Sequence, residues 1–257
     1  LNLIAKTNKL LDKSMNNIND YYQKDLAYIH DVGFSNFALQ ATAAIIKIIH
    51  DSNIRSGLIV DLGCGSGLSA QKFIEANYRV LGIDISQAMI EIARKRVPEA
   101  EFKVQSLFKT EIPKCNVVTS ISECLNYLFD EENNSLTLAK LCDRVYRSLL
   151  PGGIFIFDIL TPFTTKKTQR FTEGKDWIVM VEKQEDREAK TLSRRIITFR
   201  KVGKVYQRND ETHHVQLYES SKIIDQLRRV GFQVQTQSSY GDLELAPGHT
   251  VFIARKI

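Results

Sequence analysis

The 257 residues contain no apolar run near the roughly 20 that a membrane span requires. Residues 1–19 are polar and lack the apolar core of a secretory signal. The four cysteines, Cys64, Cys115, Cys124 and Cys142, are scattered without a C-x-x-C spacing. That argues against a structural zinc site, yields no metal centre, and fits thiols kept reduced in a cytoplasm. An initiator methionine is lacking as well. With Leu1 in its place, the expectation is a processed chain or a piece of a longer one, with Met15 as an alternative start.

What is present is enough apolar content, 43%, for one large α/β domain with an elaboration. The organising stretch is residues 58–67, LIVDLGCGSG. It reads as a short apolar strand, a glycine-rich turn, and a helix over 68–76. Gly63, Gly65 and Gly67 remove side chains where the backbone bends and where a ligand must lie against it. Cys64 suits the same turn by its small size. Asp61 puts a carboxylate at the strand's end, and a second strand over 79–84 ends in Asp84. In an open parallel sheet, ligands sit outside the carboxyl ends of the strands, where Asp84 can accept hydrogen bonds from a ribose.

Residues 65–70, GSGLSA, also fit the dinucleotide pattern G-x-G-x-x-G/A. A dinucleotide site uses the helix N-terminus for a pyrophosphate. Here Asp61 precedes the glycines, where it repels a pyrophosphate but favours an ammonium or a sulfonium. The run 61–67 followed by GIDIS at 82–86 resembles the class I methyltransferases that use S-adenosylmethionine. The segment 117–128 and the LLPGG at 149–153 agree with it. The resemblance covers about residue 21 to the C-terminus and is specific for fold and cofactor.

It implies a Rossmann-like α/β fold with a seven-stranded, mostly parallel sheet and an antiparallel C-terminal strand. Residues 1–20 are then an N-terminal extension, and 21–257 the methyltransferase domain. The cofactor contacts it implies are Asp61, Gly63, Cys64, Gly65, Asp84, Ile85, Ser106, Leu107, Ile121 and Ser122. The aromatic-rich residues 21–34 and the helix expected over 38–50 become a lid, with Tyr22 as its cofactor contact. Ser106 stands where the family usually has an acid for the adenine amino group, with Ile85 and Leu107 placed to sandwich the ring.

Along the rest of the chain, Ser86 is expected to cap a helix closed by Pro98, and Asp130 a helix through Leu138, Leu141, Val145 and Leu149. Strands are read over 101–105, 117–121 and 154–160. The last is a continuous apolar run suited to burial on both faces. About sixty residues then precede a helix over 221–230. Within 163–218, strands over 177–182, 191–200 and 212–218 are separated by turns at 185–187, 201–204 and 209–210. The reading is an antiparallel β insert over the sheet's C-terminal edge, shaping substrate choice. Strands over 232–237 and 250–254 complete the main sheet.

Residues 163–208 hold thirteen cationic and six acidic side chains, a balance of +7 within a chain of +5. That is either a solvated face or an attraction for an anionic substrate or a carrier protein holding it. An oxygen nucleophile also needs a base. His213 and His214 are the candidates: strand alternation aims His214 at a polar cavity and His213 at the core, whereas the resemblance favours His213 through a His-x-x-x-x-Tyr pattern ending at Tyr218. Tyr127 is a third polar group near the site. No Asn/Asp-Pro-Pro-Tyr/Phe follows the fourth strand, which argues against action on exocyclic base amines. The expected activity is methyl transfer to an N or O nucleophile of a small molecule. An RNA-modifying enzyme and a non-catalytic cofactor-binding subunit are the alternatives, and the sequence leaves the oligomeric state open.

Overall fold

The computed structural model describes residues 21–130, 133–162 and 167–257, so the extension 1–20 lies outside the described residues. Helices α1 (Lys24–Gly33) and α2 (Ser35–Asp51) lead into β1 (Gly57–Leu62), α3 (Leu68–Glu75), β2 (Tyr78–Asp84), α4 (Gln87–Arg96) and β3 (Glu101–Val104). Then come β4 (Cys115–Ser120), α5 (Ser135–Ser148) and β5 (Leu149–Leu160). The main sheet is closed by β10 (Phe232–Gln237) and β13 (His249–Lys256), in the order β10-β13-β5-β4-β1-β2-β3. Strand β13 runs antiparallel to both its neighbours, and β1 to β5 pair in parallel. This is the mixed seven-stranded sheet that the sequence predicts.

The central strands are apolar throughout because helices cover both faces. Alternate residues divide between two cores. Val60, Val118 and Phe155 pack against Leu141 and Val145 of α5, and against Leu227 of α6 (Ser220–Val230). Ile59, Val117 and Ile154 pack against Ile45 of α2, Phe73 of α3 and Ile90 of α4. Ser86 caps α4 by accepting from the Met89 N–H. Helix α5 departs from expectation: Asn134 caps it, accepting from Leu136 and Thr137, while Asp130 lies 3.3 Å from the Lys109 ammonium. Among the described residues no single helix is long and apolar enough to cross a membrane.

The insert forms a second sheet of four antiparallel strands, β6 (Thr168–Glu173), β7 (Trp177–Asp186), β8 (Thr191–Val202) and β9 (Val205–Gln216). Strand β6 is unforeseen, and the turn expected at 209–210 lies inside β9, where Asn209 pairs with Thr198. The aromatic segment is also more regular than its composition suggested, since most of it is α1. Leu26 and Ile29 of α1 pack on Trp177, Val179 and Ile196 of the insert. Polar ties reinforce the contact. Asp25 accepts from Arg200 and Asn209 at 3.1 and 2.6 Å, and Arg200 stacks 3.7 Å above the Tyr28 ring. Glu211 of β9 accepts from the backbone N–H groups of Tyr22 and Gln23 at 2.8 and 3.0 Å, capping α1 from another element. A short hairpin, β11 (Ser239–Tyr240) and β12 (Leu243–Glu244), lies between β10 and β13.

Candidate active site

Strands β1 and β2 end side by side, with Leu62 opposite Ile83. The turn leaving β1 is anchored by the Gly63 and Cys64 N–H groups, which donate to the Ile83 carbonyl at 2.7 and 3.0 Å. Gly65 has a φ of 53°, and a Cβ there would meet nothing within 4 Å, so its bare backbone faces open cavity. A Cβ on Gly63 would instead collide with the Cys124 side chain. The Asp84 carboxylate accepts from the Gly65 N–H at 2.9 Å and the Ser86 N–H at 2.8 Å, which leaves lone pairs on both oxygens. Burial raises its pKa, against the pull of those amides. Asp61 is 2% exposed and accepts from the Thr119 hydroxyl at 2.7 Å. Burial pushes its carboxyl up to about 6; the Thr119 bond opposes this and nearby Asp84 adds to it.

Ile85 and Leu107 offer partly buried apolar side chains beside Ser106. The Ser106 hydroxyl accepts from the Phe108 N–H at 3.2 Å and keeps its own proton for another partner. Tyr22 comes in from the lid, its carbonyl held by the Ser86 hydroxyl at 2.9 Å. The ten expected cofactor contacts and Tyr22 together line one cavity of about 820 Å³. Bare glycine backbone, free ribose-directed lone pairs, an apolar slot and a buried acid fit S-adenosylmethionine: Asp84 would hold the ribose, Ile85 and Leu107 the adenine, and Asp61 the ammonium.

The opposite wall begins after β4. Ser122 and Glu123 are consecutive non-glycine residues at positive φ, 64° and 53°. Such backbone costs about 1–3 kcal/mol per residue and persists only when its surroundings hold it. Asp158 of β5 does so: its fully buried carboxylate accepts from both N–H groups, at 2.8 and 2.7 Å, and from the Tyr240 hydroxyl at 2.8 Å. Burial pushes Asp158 to about 6, against those hydrogen bonds.

Glu123 then lies 2.6 Å from Arg194 of β8 and 3.6 Å from His249 Nε2. Burial would raise the Glu123 carboxyl, but Arg194 and His249 outweigh it and hold it at about 2. Burial opposes charge on His249, and the Glu123 carboxylate overcomes it, so its pKa is raised. The His249 Nδ1 donates to the Ala246 carbonyl at 2.9 Å, which leaves Nε2 to take a proton. Arg194 also donates to the Tyr127 hydroxyl at 3.1 Å, itself 3.3 Å from the Tyr22 hydroxyl.

A methyltransferase-domain family model matches residues 59–153, which carry the glycine turn, Asp84 and the Glu123 loop. YqeM of Bacillus subtilis (strain 168), whose methyltransferase name is itself provisional, is 27% identical over 199 residues, 73% of this chain and 78% of its own length. An S-adenosylmethionine-dependent methyltransferase of Clostridium acetobutylicum ATCC 824 superposes with a TM-score of 0.76 at 20% identity, over 90% of this chain and 97% of that one. The sugar N-methyltransferase KedS8 of Streptoalloteichus sp ATCC 53650 gives 0.71 at 14%, over 89% and 91%. The chain carries a methyltransferase domain of the class I, S-adenosylmethionine-dependent fold.

In this methyltransferase the expected histidines stand elsewhere than the cavity wall. His214 points to solvent, because alternation along β9 puts it on the sheet's outer face. His213 is fully buried behind the wall, its Nε2 2.9 Å from Glu211 and its ring 5.0 Å from that of Tyr22. Its Nδ1 has no hydrogen-bond partner among the described residues. The histidines that do line the cavity are His249 and His30 of α1, and burial lowers the pKa of His30. Tyr127 also lines it, but burial pushes its hydroxyl up to about 12, so it is a donor near neutral pH. Asn126 is fully buried and ties its loop to Leu160 and Gln216.

Sequence reading passed over Glu123, Asp158 and His249. One signal was available: Asp158 is a lone acid in the apolar run 154–160. When bound, S-adenosylmethionine supplies a methyl group on a positively charged sulfur, so the departing group needs no protonation. The enzyme's task is to align the acceptor, exclude water and receive one proton.

Proposed function

We propose that the enzyme methylates an N or O nucleophile of a small molecule. The observation that carries this reading is enclosure. The cofactor cradle and the Glu123–Arg194–His249 wall face one cavity of about 820 Å³, roofed by α1 and the insert sheet. That volume lies within the range of small-molecule sites, about 300–1,000 Å³. The likeness to a sugar N-methyltransferase agrees with it. His249 is placed to take the acceptor's proton at Nε2, with Glu123 stabilising the resulting imidazolium and Arg194 holding Glu123 in place. The four free cysteines suit a reducing cytoplasm.

An RNA acceptor would call for a continuous set of free cations. Instead, Arg195 and Arg208 both bind Asp210, Lys167 binds Glu182, and Lys190 binds Glu219. Incubation with methyl-labelled cofactor and either a metabolite extract or total RNA tests the assignment. Label is expected in the metabolite fraction. Label confined to RNA, with binding that falls steeply with salt, would overturn the reading. Cofactor binding without any transfer would favour the non-catalytic alternative.

A further inference from the structure

The inner face of the insert carries charge that its neighbours leave uncancelled. Lys183 of β7 stands directly opposite Arg194 of β8. Like charges across a strand pair ordinarily destabilise a sheet. Arg194 is compensated by Glu123, which already serves His249 as well. Lys183 is half-buried, lines the cavity, and has no hydrogen bond or ion pair with a described residue. Arg170 of β6 lines the same cavity without a described partner; it pairs with Val181 and so lies diagonally beside Lys183 on one face. The adjacent acid, Glu182, belongs to the opposite face and engages Lys167 and Gln169. Burial and the Arg194 guanidinium lower the Lys183 pKa; the Glu123 carboxylate opposes them in part, and Arg170 adds to the lowering.

We infer that Lys183 and Arg170 bind an anionic group of the acceptor, a carboxylate or a phosphate, at the insert end of the cavity. This rests on the small-molecule reading above and adds the chemistry by which the acceptor is chosen. A compact group of anionic oxygens would meet the lysine as a point charge and the guanidinium as a fork. It would also relieve the repulsion with Arg194, so an arrangement unfavourable in the empty protein becomes favourable in the loaded one. Arg194 and Arg195 do not act together in this role. They lie on opposite faces, and Arg195 bonds Asp210 on the outside at 2.6 and 3.1 Å.

The test is calorimetric titration of the full chain, loaded with S-adenosylhomocysteine, with inorganic phosphate and separately with malonate at constant ionic strength. Saturable binding of at least one anion is expected, and the preferred one separates phosphate from carboxylate. Lys183→Met should weaken it at least tenfold and Arg170→Gln severalfold, with unchanged affinity for S-adenosylhomocysteine. Lys204→Gln, at the exposed β8–β9 turn, should leave it unaltered. Lys183→Met should also melt at a higher temperature than the parent. The exposed Arg170 carries the test should the lysine variant misfold. No saturable binding, or an equal loss in Lys204→Gln, overturns the inference. Methyl transfer to RNA alone overturns the acceptor reading instead, whatever the anions do.

Discussion

Asp61 and Asp84 sit at the ends of neighbouring strands, yet their tasks differ. Asp84 already receives two backbone amides and turns its remaining lone pairs to the cavity. Asp84→Ala is expected to weaken S-adenosylhomocysteine binding by about 1.5–3 kcal/mol, read by calorimetry. Asp61 has a folded pKa of about 6 against an ordinary 3.8. A raised carboxyl pKa means that the fold favours the protonated form, a contribution lost as pH climbs from about 4 to 6. A ligand ammonium needs the ionised form. Affinity for S-adenosylhomocysteine should therefore fall as pH drops below about 6, by up to about tenfold per unit, and Asp61→Asn should flatten that dependence. Arg194→Met strands a buried Glu123 and should cost about 3–5 kcal/mol in urea unfolding, most of it recovered by adding Glu123→Gln.

Among the elements, legibility followed locality. Strands β1 and β2 and the glycine turn announce themselves because hydrophobic run, glycines and acids fall within some thirty residues. Strand β6 did not, because nearly all of it is exposed and no alternation marks a buried face. Helix α1 was hidden because what it packs against, the insert, lies about 150 residues further on. The residues read as cofactor contacts are mostly local in sequence, and they line one cavity. The proposed acceptor half draws Glu123 from a loop after β4, Arg194 from β8 and His249 from β13, so no spacing in the chain reports it. Element contacts can be tested directly. Glu211→Ala removes the acceptor for two N–H groups at the start of α1, so amides across α1 should exchange at least tenfold faster. Those of β1 and β4 should not change.

At the scale of the whole molecule, two sheets share one cavity and α1 joins them. The helix starts on Glu211, reaches Asp176 through the Tyr28 hydroxyl, and ends with Gly33 against the Trp177 ring, where a Cβ would collide. Its other face leads to the cradle through the bond between the Tyr22 carbonyl and Ser86. Helix α1 and the insert are thus one fitted piece, although about 140 residues of the main fold separate them in sequence. Recombination must respect that fit. A chimera that receives another methyltransferase's insert alone would inherit a strange surface beneath its own α1, with Asp25, Tyr28 and Gly33 facing the wrong partners. It should express poorly and bind S-adenosylhomocysteine weakly. The same graft carrying the donor's lid helix as well should restore both yield and binding, making two distant stretches of chain a single unit of exchange.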